Sequence, residues 1–283
     1  MTGGVKILKA GFFTTIQDGG RFGFSKYGVP RSGAMDKLSY GLANSLLGND
    51  KNAACIEWAF QPPVLHFFEN TEIVLTGAEA DAFLNDLKID MYKKIRIVKD
   101  DILRFNFCRK GVYGYVGIRK GFSTPMILKS KSFYKSITSD YRLENDAILP
   151  YKINNIFERQ LSTISIPILF DSTQKLEVYK GPEFDYLSKD QHSFLFDNLF
   201  TISNTINRMA IQLEEKLYND LPSMLTSPVL PGTVQLTPSG TLIILMRDCQ
   251  TTGGYPRVLQ LSEMSINIIA QKRMKERCSF KLI

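Results

Sequence analysis

The chain reads Leu242-Ile243-Ile244-Leu245-Met246-Arg247-Asp248-Cys249-Gln250-Thr251-Thr252-Gly253-Gly254-Tyr255-Pro256-Arg257 near its C-terminal end. The first five residues form an apolar run with the length and branching of a buried strand. Charges, hydroxyls, two glycines and an aromatic follow at once, which is how a rigid sheet presents polar chemistry to a cleft. Gly253 and Gly254 allow close backbone approach and positive φ, so their amides can point at an anion. The same pattern also suits a tight turn between two strands.

Similar short runs recur along the chain at 5–10, 73–76, 95–98, 102–107, 113–118, 176–179 and 233–236, bounded by Gly, Pro, Asn or Asp. Helical spacing is rarer. It predicts a helix over 34–47, capped by Ser32 or Asp36 and ended by Gly48-Asn49, with others within 191–199 and 262–269. Many short strands and few helices predict a mainly β protein built from barrels or sandwiches. The polar stretch 150–174 is the best place for a boundary, giving units 1–165 and 166–283.

A second glycine-rich motif stands near the N-terminus: Thr14-Thr15-Ile16-Gln17-Asp18-Gly19-Gly20-Arg21-Phe22-Gly23, then Gly28-Val29-Pro30-Arg31-Ser32-Gly33-Ala34-Met35-Asp36. Gly19-Gly20 and Val29-Pro30 forbid regular structure, so both segments are loops. Arginine and aspartate in such loops can lock them by bidentate hydrogen bonds, or hold a ligand's carboxylate or phosphate. Asp18 and Arg21 are expected to form a structural lock. Arg31 and Asp36 are open to either role.

A net charge of +7 favours anionic partners without naming them, and 44% hydrophobic with 22% charged residues is ordinary for a globular chain. Lys and Arg are scattered rather than clustered with aromatics, so nucleic acid is not the expected partner. The basic run 271–277 reads as a solvated turn before a last strand at 278–282. No apolar stretch is long enough for a membrane span, the N-terminus lacks an apolar signal core, and the four cysteines show no metal or redox spacing. These features predict a cytoplasmic protein with reduced thiols. His66, in an apolar strand, and the distant His192 support neither a metal site nor a Ser–His–Asp triad. There is no Gly-x-x-x-x-Gly-Lys-Ser/Thr phosphate loop and no dinucleotide-binding glycine motif.

The stretches 14–36, 43–60 (ANSLLGNDKNAACIEWAF), 229–245 (VLPGTVQLTPSGTLIIL) and 247–258 together resemble the biotin-dependent carboxyltransferase-like family, in family order and over almost the whole chain. That family includes the C-type component of bacterial ATP-dependent 5-oxoprolinase, the antagonist of the Kip kinase inhibitor, and part of urea carboxylase. The resemblance implies packed β-barrel units of cyclophilin-like type. It also implies a three-part assembly that opens the lactam of 5-oxoproline to glutamate with ATP. Phosphorylating the lactam oxygen makes a leaving group and lets water attack the ring carbon, which calls for anion clamps and fixed charge-stabilising donors. Asp36, Arg208, Asp248 and Thr252 are then the candidate reacting or orienting groups. Arg31, Gln250, Thr251, Gly253, Gly254 and Tyr255 are candidates to bind the substrate, and no residue is assigned to a metal. ATP with Mg is expected at a site shared with the B-type subunit, a KipI-like protein, and an A-type subunit makes up the set. The two glycine-rich motifs are expected to meet in a cleft.

Departures from the family are few. Ile206-Asn207-Arg208-Met209-Ala210 stands where Ser-Asp-Arg-Met-Gly is typical, so Asn207 cannot take a proton. Lys180-Gly181-Pro182-Glu183 matches loosely and reads as a strand-ending turn, and Cys249 alternates away from Asp248 toward the core. Arg273-Met274-Lys275-Glu276 lacks the Ala-Met-Lys-Met form of a biotin attachment site, so covalent biotin is not expected. A regulatory partner of a KipI-like protein, or a carboxyltransferase component using carboxybiotin from another chain, are the alternatives the resemblance leaves.

Overall fold

In the computed structural model the chain is mainly β, with three α-helices among the described residues, which are 1–157, 174–222 and 224–283. It forms two compact units, Met1–Arg21 with Ser32–Pro167, and Phe22–Arg31 with Ile168–Ile283. The expected boundary after residue 165 lies outside the described residues. A single cut also misses one feature: the short loop Phe22–Arg31 belongs to the second unit.

The first unit is one nine-stranded antiparallel sheet. Its strands are β1 (Thr2–Lys9), β2 (Phe13–Gln17), β3 (Cys55–Ala59), β4 (Val64–Phe67), β5 (Thr71–Leu84), β6 (Leu87–Ile89), β7 (Ile95–Ile97), β8 (Ile102–Ile118) and β9 (Ile148–Lys152). The runs 102–107 and 113–118, expected as two strands, are the halves of β8. Gly111 in β8 and Gly77 in β5 take positive φ, 78° and 84°, and the β5–β8 register shifts just after Gly77. Glycine accepts this conformation at no steric cost, so the long ribbon bends without ending. The bend lets β8 pair with β4 at Leu103 and with β3 at Val116. The sheet curls into a half-barrel around a core that includes Ile16, Trp58, Leu75, Val116 and Phe122.

Helix α1 (Lys37–Leu47) packs on β5 and β8. It starts at Lys37 because Asp36, not Ser32, is the cap. The Asp36 carboxylate accepts from the amides of Leu38 and Ser39, and left-handed Gly48 ends the helix as expected.

The second unit holds β10 (Leu176–Lys180), β11 (Phe200–Ile206), β12 (Ala210–Lys216), β13 (Ser227–Pro228), β14 (Thr233–Leu236), β15 (Thr241–Leu245), β16 (Thr252–Gly253), β17 (Arg257–Leu261), β18 (Arg277–Cys278) and β19 (Phe280–Leu282). Eight of them form a nearly closed barrel in the order β18-β11-β12-β15-β14-β17-β10-β19, and β13 pairs with β16 separately. β15 is the strand read first from the sequence. Leu242, Ile244, Leu245 and Met246 are buried, each worth about 1.5–3 kcal/mol of burial. Helix α2 (Lys189–Asp197) opens on a Ser188–Gln191 capping box and α3 (Glu263–Ala270) on Ser262, both within a residue or two of the expected positions. The basic run departs from expectation: Met274–Arg277 is exposed, but Gln271 and Lys272 are buried.

Candidate functional site

β15 delivers Arg247 and Asp248 in opposite directions, as alternation requires. Arg247 is 2% exposed and turns to α3, where its Nη2 donates to Glu263 Oε1 at 2.6 Å and Asn267 Oδ1 at 3.1 Å, and its Nη1 to Glu263 Oε2 at 3.3 Å. Asp248 turns to the β11–β12 hairpin. There Arg208 Nε donates to Asp248 Oδ2 at 2.8 Å and Arg208 Nη2 to Asp248 Oδ1 at 2.9 Å. The Asp248 amide donates to the Arg208 carbonyl, also at 2.9 Å. Arg208 and Asp248, both predicted from sequence, are therefore brought together as one bidentate pair.

The hairpin that presents Arg208 is held by Asn207. Its Oδ1 accepts from the amides of Met209 at 2.8 Å and Ala210 at 3.1 Å. Those bonds need an acceptor oxygen and no charge, so Asn207 meets this role as Asp would.

The loop 248–257 is also gripped at its far end. Arg257 Nε and Nη2 donate to Glu183 Oε2 at 3.0 Å and Oε1 at 2.7 Å, the Arg257 amide to Glu183 Oε2 at 2.8 Å, and Nη1 to the Pro228 carbonyl at 2.9 Å. The Lys180-Gly181-Pro182-Glu183 segment does end a strand, but Glu183 makes it an anchor as well. Burial would push the Glu183 carboxyl up. The hydrogen bonds from the Arg257 side chain and main chain outweigh burial and hold it below the ordinary 4.5. A carboxyl lowered by folding stabilises above its unfolded value and loses that contribution as pH falls through the folded one. Glu183→Gln is thus expected to be less stable than the parent at neutral pH by about 1–3 kcal/mol. In denaturant titrations across pH the gap should close below about 4.5. A gap that is constant or widens on acidification contradicts the ion-pair account.

Between these anchors Cys249 faces the core, where burial pushes its thiol up to about 12, so it is not a ready nucleophile. Thr252–Gly253 pairs with Ser227–Pro228, and the Val229 amide donates to the Thr251 carbonyl at 3.1 Å. Neither Gly253 nor Gly254 takes positive φ, contrary to expectation. Gly253 is needed for close approach instead. A Cβ there would lie 2.5 Å from Gln235 Nε2, so the Gln235 amide fills that space, from where it donates to the Tyr255 carbonyl at 3.4 Å. Gln235, 2% exposed on β14, carries no functional signal in the sequence, where Thr233-Val234-Gln235-Leu236 reads only as a strand. Thr252, Gly254 and Tyr255 are exposed, and Gln250 and Thr251 are half-buried.

The N-terminal motif is divided. Arg31 lies in the second unit, and Asp18, Arg21 and Asp36 in the first. Asp18 accepts from Gly20 N, Ser130 Oγ, Lys131 N and Ser132 Oγ at 2.6–2.8 Å, and Arg21 Nη2 donates to the Ser132 carbonyl. Both residues grip the 130–132 segment. Asp36 also accepts from Ser39 Oγ at 2.6 Å, while its amide donates to the Tyr115 hydroxyl at 2.8 Å. Its carboxylate has the geometry of a helix cap.

Residues 27–282 match the family model "Carboxyltransferase domain, subdomain A and B". The chain belongs to this family. It is 28% identical to the C-type component of 5-oxoprolinase from Haemophilus influenzae, over 99% of this chain and 91% of that one. Its fold is shared with the crystal structure of TTHA0988, at TM-score 0.88 and 24% identity, over 99% of this chain and 56% of that one. The Kluyveromyces lactis urea carboxylase shares it too, at TM-score 0.82 and 22% identity, over 98% of this chain and 27% of that one. The chain therefore spans about half or less of these two larger chains, and nearly all of the 5-oxoprolinase component.

Proposed function

We propose that this chain is the C-type component of an ATP-dependent 5-oxoprolinase. The observation that carries the reading is the 248–257 loop. Two bidentate arginine–carboxylate pairs fix its ends, and between them stand an exposed threonine, the Gln250 amide and a glycine approached closely by the Gln235 amide of β14. Fixed donors of this kind stabilise charge developing on a carbonyl or phosphoryl oxygen without reorganising. The near-full-length similarity to the Haemophilus influenzae 5-oxoprolinase component supports the same reaction.

In this reading Thr252 and the Gln250 amide donate to the lactam oxygen as it gains charge and receives a phosphoryl group, while buried Gln235 holds the loop through the Tyr255 carbonyl. Asp248 orients Arg208 and sets the loop. Asp36 acts at a distance by positioning α1. ATP is a substrate, brought with Mg to a surface completed by a B-type, KipI-like subunit, while an A-type subunit takes part in ring opening. Among the described residues no group of three or more His, Cys, Asp or Glu is placed to hold a metal ion.

Partner dependence is the test. The isolated chain is expected to release no glutamate from 5-oxoproline and to co-purify with a B-type subunit. Full turnover by the chain alone overturns the reading. Stable assembly with a biotin carboxylase, and carboxyl transfer from it, replaces it with the carboxyltransferase alternative.

A further inference from the structure

The loop Phe22–Arg31, part of the second unit, ends on a cation that its surroundings leave uncompensated. The Arg31 guanidinium lies over the Phe22 ring, 3.8 Å from its centroid, which fixes its plane without using its donors. Its Nε is buried and has no hydrogen-bond partner among the described residues. A buried guanidinium donor without an acceptor is unfavourable, and such groups are normally satisfied.

Among the described residues, the charged groups that shift Arg31 are Arg247 and Glu263. Glu263 is already taken, since both its oxygens accept from Arg247. Two guanidinium charges less one carboxylate leave one net positive charge. Burial first, then Arg247, lower the pKa of Arg31 below its ordinary value, with Glu263 opposing. The charged form is thus short of a counter-anion. Arg208 and Arg257 differ, because Asp248 and Glu183 supply theirs.

We infer that Arg31 is the clamp for the carboxylate of a small organic acid, received on the Nε edge of the guanidinium held over Phe22. A planar carboxylate matches the guanidinium fork. This deepens the proposed function and rests on it only for the identity of the acid, 5-oxoproline.

The test is side-chain NMR on the whole chain labelled at arginine nitrogen, with the Arg31 Nε–H signal assigned by its loss in Arg31→Lys. Acetate and 5-oxoproline are expected to shift that signal saturably, and the carboxamide of 5-oxoproline to leave it in place. By calorimetry, Arg31→Lys should bind 5-oxoproline roughly 10- to 100-fold more weakly, with an unchanged melting temperature. An unmoved signal with both acids overturns the clamp, whatever the assembled complex turns over. Tighter binding of inorganic phosphate than of either acid overturns the carboxylate assignment. A response to acetate but not to 5-oxoproline supports the clamp and counts against the proposed function.

Discussion

Arg208→Met will destabilise the second unit by about 3–5 kcal/mol, because it leaves Asp248 near the interior without its cation. The pair is well shielded, with side chains 7% and 14% exposed, so solvent does not replace the lost partner. Turnover of the assembled complex should fall with it, since the root of the 248–257 loop is released. The double variant Arg208→Met with Asp248→Leu separates stability from chemistry. Replacing both members of a buried pair by apolar residues is often neutral, so the double variant should regain most of the melting temperature. It should not regain turnover, because nothing then sets the loop. Recovery of both would reduce the pair to scaffolding. Asp248→Asn keeps an acceptor for Arg208 and should lie between these extremes.

Thr252→Val will lower turnover of the complex on the order of 100-fold or more while leaving the fold intact. Thr252 is exposed and its main chain stays paired with Pro228, so valine removes a hydroxyl and little else. Melting temperature, partner affinity and turnover measured on one preparation decide the matter. A purely structural turn predicts that activity tracks the amount of folded, assembled protein. Unchanged turnover in a stable Thr252→Val complex takes the hydroxyl out of the site.

The elements with strong local signals are legible in the sequence. The apolar run of β15, the Gly48 end of α1 and the position of α3 are each decided within a few residues, whereas the start of α1 stays open between Ser32 and Asp36. β3 is not so decided, because Cys55-Ile56-Glu57-Trp58-Ala59 carries a carboxylate in a wholly buried strand. Only the fold shows that Glu57 Oε2 accepts from the Tyr115 hydroxyl at 2.7 Å and the Met35 amide at 2.8 Å. β12 does carry a signal, since Ile211 and Leu213 alternate with Gln212 and Glu214. The arginines show the same limit at the site. Sequence nominates Arg31 and Arg208 as candidate cations of the site, and leaves Arg257 as the end of a glycine-rich run. Which ones the protein neutralises depends on Asp248 and Glu183, 40 and 74 residues away from Arg208 and Arg257. The Arg247 partners leave a fainter trace, since Glu263 and Asn267 are four apart on α3 and share a face.

The most direct measurement is glutamate release from 5-oxoproline by this chain combined with A-type and B-type subunits, followed with and without ATP. The account predicts ring opening that requires ATP and all three components and falls sharply with Thr252→Val. Glutamate release that persists when this chain is omitted, or no release from a fully assembled complex supplied with ATP and Mg, would contradict it.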